Sequence, residues 1–183
     1  MPNLIKVAII GTAGRGANLA KLTPQIFEKM LKCLITIIEA DLGLEWKSIQ
    51  LVSGGAAWAD HLAVILYNRQ ICQNLLLYLP TEFKDGAYLM NNQIGKTANF
   101  YHSQFSKKMG YNTLGDIDTA INNGCVIDST NIGFKNRNTK IAKSDYIIAF
   151  TFEESQPTGG GTLDTWNKAT TAIKKIHKNI STI

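Results

Sequence analysis

Three short stretches of this 183-residue chain carry residue types suited to holding an anion: Gly11-Thr12-Ala13-Gly14-Arg15-Gly16, Ser53-Gly54-Gly55-Ala56 and Pro157-Thr158-Gly159-Gly160-Gly161-Thr162. Glycine permits tight turns and lets main-chain N–H groups approach a phosphate with no Cβ in the way. The third stretch adds the unpaired N–H groups and the dipole of a helix N-terminus, and the Thr162 hydroxyl besides. The first is not a P-loop, because Ala17 follows Gly16 where a lysine is required. Its glycines are not spaced as GxGxxG, and no acidic residue closes the second strand, which argues against a conventional NAD site. Candidate ligand contacts are therefore Gly11, Thr12, Gly14, Arg15 and Gly16, then Ser53, Gly54 and Gly55, then Thr158, Gly159, Gly160, Gly161 and Thr162.

Other residues could complete a site. Arg137 offers a bidentate fork for phosphate or carboxylate, and Asn138 could orient a base or ribose. Asp60 reads equally as a contact to a sugar or neighbouring loop and as a helix-start carboxylate favoured by the macrodipole. Ser53 has no histidine placed by sequence to activate it, so it is not a nucleophile. His61 reads as a helix-surface residue, and His102 belongs to an aromatic segment with Tyr101 and Phe105. Glu153-Glu154 reads as a solvated pair. The three histidines follow no metal spacing. Cys33, Cys72 and Cys125 are odd in number and far apart, so reduced thiols are expected, with Cys33 and Cys72 on helices.

Elements must position these groups. Leu4 to Ile10 is a branched apolar run, as in a strand buried on both faces. Thr23-Pro24 marks a helix start, and Ile26 to Ile38 repeats at helical spacing as far as Asp41-Leu42-Gly43. Further strands are expected at Ile49–Val52, Asn74–Leu79 and Tyr146–Phe152, and further helices at Ala59–Arg69, Asn136–Lys143 and Thr162–Lys178. Thr81 to Gly124 is polar and mixed, and reads as an insertion or lid with helical pieces around Phe105 and at Asp116–Asn122. The alternation predicts one α/β domain over residues 1–183, a Rossmann-like three-layer sandwich with a mainly parallel sheet and helices on both faces. Ligands of such sheets bind beyond the carboxyl ends of the strands, where all three glycine stretches fall.

Composition sets the outer bounds. Hydrophobic residues make up 45% and charged residues 18%, which suits an ordinary folded globule. No apolar run reaches the ~20 residues of a membrane span, and the opening strand is not an export signal, so a cytoplasmic protein without membrane contact is expected. The net charge of +5 suits a phosphorylated ligand or a solvated basic surface.

The order of motifs resembles the SLOG Rossmann-like group, which includes the Lonely Guy phosphoribohydrolases and, more distantly, the DNA-processing protein of bacterial transformation. The resemblance runs from about Val7 to Ala169. Ser53-Gly54-Gly55-Ala56-Ala57-Trp58-Ala59-Asp60 is similar to the group's second glycine motif. Phe134-Lys135-Asn136-Arg137-Asn138 resembles its less-characterised nucleotide-binding members. The Lonely Guy turn, Pro-Gly-Gly-x-Gly-Thr-x-x-Glu, puts Thr158 in place of its first glycine and Thr165 in place of its catalytic glutamate. Arg137 falls where those enzymes carry a catalytic arginine. Asp164 is one position away from the glutamate, a turn of ~100° on a helix.

The resemblance implies nucleotide binding, with no cofactor, and leaves three functions open. An N-glycosidic hydrolase would use Arg137 and Asp164, or Asp60, as catalytic groups. A nucleotide sensor or carrier would use the same pocket without turnover. Single-stranded nucleic-acid binding would draw on Lys168, Lys174, Lys175 and Lys178 with the aromatics. A homodimer is implied by resemblance alone.

Overall fold

The computed structural model describes residues 4–130 and 132–183. Strand β1 (Ile5–Gly11) leads to short α1 (Asn18–Lys21) and to α2 (Pro24–Thr36). β2 (Ile49–Ser53) leads to α3 (His61–Asn68), and β3 (Leu75–Tyr78) to a small hairpin of β4 (Phe83–Lys84) and β5 (Ala87–Tyr88). Two helices follow, α4 (Gln93–Met109) and α5 (Thr113–Asn122), before β6 (Val126–Asp128) and α6 (Phe134–Ile141). β7 (Tyr146–Thr151), α7 (Gly160–Lys168) and β8 (Lys174–Asn179) complete the chain. The six long-range strands lie in the order β6-β3-β2-β1-β7-β8, and every neighbouring pair is parallel.

Successive side chains of a strand point to opposite faces, and here each face has its own core. Val7, Ile9, Leu51, Leu77, Ile148 and Phe150 face one side and join Phe27, Met30 and Leu34 of α2, most of α3, and Phe105, Ile117 and Ala120 of α4 and α5. Ala8, Ile10, Val52, Leu76, Ile147 and Ala149 face the other, against Ile141 and Ala142 at the end of α6 and Trp166 and Ala169 of α7. The molecule is thus the expected Rossmann-like three-layer sandwich. α2 starts as its sequence suggests: Thr23 Oγ1 accepts from the Ile26 N–H at 3.2 Å, with Pro24 in the first turn.

The chain departs from the sequence reading at its end. Instead of one helix from Thr162 to Lys178, α7 stops at Lys168 and residues 174–179 form β8, parallel to β7 from Tyr146↔Lys174 to Thr151↔Asn179. Apolar spacing through Trp166, Ala169, Ile173 and Ile176 fits a helix, but β7 would otherwise be left as an open edge. Pairing satisfies its backbone, and lysines on the new edge discourage further addition. β6 and the β4–β5 hairpin are likewise absent from the sequence reading, each being only two or three residues long. Cys72 is buried but lies in the turn before β3 rather than on a helix, while Cys33 is on α2; the three thiols are free. No helix among the described residues is long and apolar enough to cross a membrane.

Candidate functional site

In this sheet order the chain moves one way from β1 to β2, β3 and β6, then returns to the far side of β1 to add β7 and β8. The loops after β1 and β7 consequently part in opposite directions and leave a crevice between them, the usual ligand position in open α/β sheets. A cleft of about 280 Å³ lies there. Its walls include the ends of β1 and β7, the second glycine loop, the start of α6 and the loop entering α7.

Of the residues singled out from sequence, Gly11, Thr12, Arg15, Gly55, Asp60, Arg137, Asn138, Thr158, Gly159, Gly160, Gly161 and Thr162 line this cleft. The N-terminus of α7 forms an exposed wall. Gly159 is the N-cap, and no side chain caps the helix, so the first N–H groups have no partner within it. A Cβ added at Gly159 or Gly160 would meet nothing within 4 Å. Gly159 is moreover extended, with φ −160°, a conformation open to any residue. Gly160 has φ +66°, so its own backbone calls for glycine; at Gly159 neither packing nor backbone geometry does, and close approach of another molecule would. The Thr162 hydroxyl is differently employed from expectation: it donates to the Gly11 carbonyl at 2.8 Å, tying α7 to the end of β1.

The second glycine loop is held from all sides. Ser53 Oγ donates to the Asp60 carbonyl and accepts from the Gly55 N–H, at 2.8 and 3.0 Å, so it is fully buried and faces inward. The Gly54 N–H donates to Asp60 Oδ2 at 3.2 Å, and the Gly54 carbonyl accepts from Arg137 Nη1 at 3.0 Å. A Cβ on Gly54 would lie 2.8 Å from Asp60 Oδ2 and 2.9 Å from Arg137 Cζ, so only glycine lets both approach. Burial pushes the Asp60 carboxyl up, against the pull of Arg137 and of the N–H groups of Gly54, Ala56 and Gly11. Arg137, itself buried, also donates through Nε and Nη2 to Asn138 Oδ1 at 3.4 and 3.2 Å. Three of its five N–H groups thus brace the site's own backbone and neighbour.

Five sequence candidates stand back from the cleft wall, the inward-facing Ser53 among them. Gly14 packs on Trp58, whose Nε1 would be 2.8 Å from a Cβ there; its N–H donates to Thr12 Oγ1 at 3.2 Å. Gly16 turns with φ +57° at the surface. Gly54 lies behind Asp60 and Arg137. Asp164 lines an adjoining depression with Lys135, Asn136 and Gly160, and its Oδ2 accepts from Lys168 Nζ at 2.9 Å and Asn138 Nδ2 at 3.1 Å. Burial opposes its ionisation, but those two partners hold its carboxyl below the usual range. Thr165, at the glutamate's place in the resembling turn, does line the cleft; its hydroxyl donates back to the Gly161 carbonyl at 3.0 Å.

Other residues at or behind the cleft were not assigned to the site from sequence. Tyr88, on β5, is buried and donates to the Gly55 carbonyl at 2.6 Å. His102, on α4, pairs with the same carbonyl through Nε2 at 2.9 Å and with Thr113 Oγ1 through Nδ1 at 3.0 Å. A carbonyl only accepts, so Nε2 carries the proton. Burial, reinforced by the neighbouring His61, pushes the His102 pKa down to about 3. His61 is a correction to the sequence reading: it is fully buried, with Nε2 2.9 Å from Asp116 Oδ2. The polar segment 81–124 therefore fastens the second glycine loop. It also supplies Tyr101, over whose ring Arg15 Cζ lies at 4.9 Å; Arg137 Cζ lies likewise over Phe134 at 5.3 Å. Glu153, read from sequence as solvated, lines the cleft. Among the described residues no group of three His, Cys, Asp or Glu side chains gathers as a metal site.

No family model matches the chain, and no solved structure matches it significantly. It is 42% identical over 167 residues to an uncharacterised protein of Acanthamoeba polyphaga mimivirus, a match covering 90% of each chain. Identity at that level across nearly the whole of both chains means that the chain belongs to the same family as that mimivirus protein.

Proposed function

We propose that the cleft binds a nucleotide or nucleotide-derived phosphorylated ligand, as a SLOG-type domain would. The observation that carries this reading is the uncapped start of α7, with Gly159 unhindered and in an ordinary extended conformation, opening on the crevice between β1 and β7. Unpaired N–H groups and the helix dipole favour a phosphate there, and Arg15 supplies a cation on the same wall. Tyr101 and Phe134 supply aromatic surface for a base.

Binding without turnover is the better-supported form of this function. Asp164 sits outside the main cleft in an ion pair, Arg137 braces Gly54 and Asn138, and the position of the resembling enzymes' glutamate is threonine. The direct test incubates the protein with nucleoside mono-, di- and triphosphates, nicotinamide dinucleotides and ADP-ribose, reading thermal shift and, by mass spectrometry, released base. Stabilisation with the ligand intact is the expected result. Released base that disappears in Asp164→Ala would instead establish an N-glycosidic hydrolase. No shift with any compound, alongside salt-sensitive affinity for single-stranded DNA, would move the function to nucleic acid. The homodimer implied by the same resemblance is checked by light scattering.

A further inference from the structure

Among the described residues, the cleft is lined by two carboxylates, Asp60, which is locked to the second glycine loop, and Glu153. Glu153 follows directly on β7, and its Oε1 receives a single long hydrogen bond, 3.3 Å, from the Thr158 hydroxyl. Its Oε2 is buried and no donor reaches it with hydrogen-bond geometry. The nearby Thr151 hydroxyl is engaged at 2.7 Å with His177 Nε2 on β8. Burial works against the charge, yet Thr151, Thr158 and His177 together hold the Glu153 carboxyl below the ordinary glutamate value. An ionised carboxylate only accepts and has about four acceptor sites; the Thr158 and Thr151 hydroxyls and the Glu153 N–H help to hold the charge here, and on the cleft wall the carboxylate keeps capacity to accept from a ligand.

Position decides which part of a ligand it meets. Thr158 both touches Glu153 and immediately precedes Gly159, so the carboxylate stands one side chain away from the proposed phosphate position. It would repel a phosphate, and it therefore belongs to the part of the ligand next to the phosphate. In a nucleotide that part is the sugar, whose hydroxyls are donors that a carboxylate on the cleft wall accepts; the base lies further off, toward Tyr101 and Phe134. Resting on the nucleotide reading of the cleft, we propose that Glu153 is a specificity-determining residue that receives the ribose hydroxyls, making this a site for ribonucleoside rather than deoxyribonucleoside phosphates.

The test is a calorimetric titration of AMP, GMP, CMP, UMP and ribose 5-phosphate, with the 2′-deoxy and 3′-deoxy counterparts of each nucleotide. Wild-type protein and Glu153→Gln are compared, with Glu154→Gln at the exposed neighbouring position as control. Loss of a hydrogen bond to a charged group corresponds to about a ten- to hundredfold change in affinity. Wild-type protein should prefer ribo over deoxy forms by that factor. In Glu153→Gln, ribonucleotide affinity should fall and the preference should collapse toward unity, while Glu154→Gln retains both. Equal binding of ribo and deoxy forms, with Glu153→Gln neutral, overturns the sugar assignment and leaves the nucleotide reading standing. A preference for GMP that follows Glu153 irrespective of the sugar also overturns it, by assigning the carboxylate to a base edge. Failure of every compound to bind overturns both. A thermal melt of each variant separates loss of fold from loss of contact.

Discussion

The glycines and the arginine of this site do different work, and single substitutions separate it. Gly159 has neither a positive φ nor a neighbour to avoid. Gly159→Ala should leave the urea midpoint unchanged, since surface changes of this kind stay within about 0.5 kcal/mol. It should weaken binding of the phosphorylated ligand at least tenfold, because a methyl group would then stand where the phosphate meets the N–H groups. Arg137 is the opposite case. Its removal leaves the Gly54 carbonyl and Asn138 Oδ1 without their donors and Asp60 without its nearby cation. Arg137→Ala should therefore destabilise the protein by about 3–5 kcal/mol, visible in denaturant unfolding with no ligand present. An Arg137→Ala variant as stable as the wild type would show that the residue is held for ligand chemistry rather than for the loop.

Among the elements, the segment from β4 to α5 has the largest consequence for the site. α4 is 17 residues long and buries Phe105 against Trp58, with ring centroids 4.4 Å apart. Trp58 in turn adopts φ +63°, a conformation unfavourable for a bulky residue. It is held by that packing and directs the chain into the turn that presents Asp60. α4 also delivers His102 to the Gly55 carbonyl. His102 is neutral in the folded protein down to about pH 3, whereas an unfolded histidine takes a proton near pH 6.5. Below pH 6.5 the unfolded chain binds the extra proton, so stability falls as the pH drops from about 6.5 toward 3 and is complete above that range. At ~1.4 kcal/mol per pH unit, His102 should remove roughly 2 kcal/mol between pH 7 and pH 5. His102→Gln should flatten that part of the profile by one proton while lowering stability at pH 7. Urea titrations at the two pH values give both quantities.

At the scale of the whole molecule, the sheet order makes the cleft and ligand binding should stabilise the fold. A ligand at 100 times its dissociation constant adds ~2.7 kcal/mol to the bound state. For a chain of this length, at about 2–4 °C per kcal/mol, that corresponds to a rise in Tm of roughly 5–10 °C. Differential scanning fluorimetry at increasing ligand concentration should show the shift continuing to grow logarithmically past saturation. A shift that stops at saturation would mean that unfolding is not an equilibrium between the free and bound native states and a single unfolded state.

The sequence by itself determined the central strands, the principal helices and the three glycine stretches. Those signals are local: a branched apolar run such as Val7 to Ile10 favours a strand wherever it is placed, and three glycines in a row break regular structure into a loop. It also put most of the loop residues at the correct edge, because in a parallel sheet every strand's carboxyl end lies on the same side. Short elements escaped it, since two or three residues in β4, β5 and β6 do not establish a period. β8 escaped for another reason: its spacing suits a helix equally, and only the unpaired edge of β7 settles the choice. Tertiary structure alone decided which groups meet. Arg137 reaches Gly54 across 83 residues of chain, His102 reaches Gly55 across 47, and His61 reaches Asp116 across 55. Their types suggested surface or ligand contacts, and burial turned them into braces. Glu153 went the other way, from an apparent solvent-facing acid to the cleft wall, because the return of the chain from β7 into α7 folds its carboxylate against Thr158.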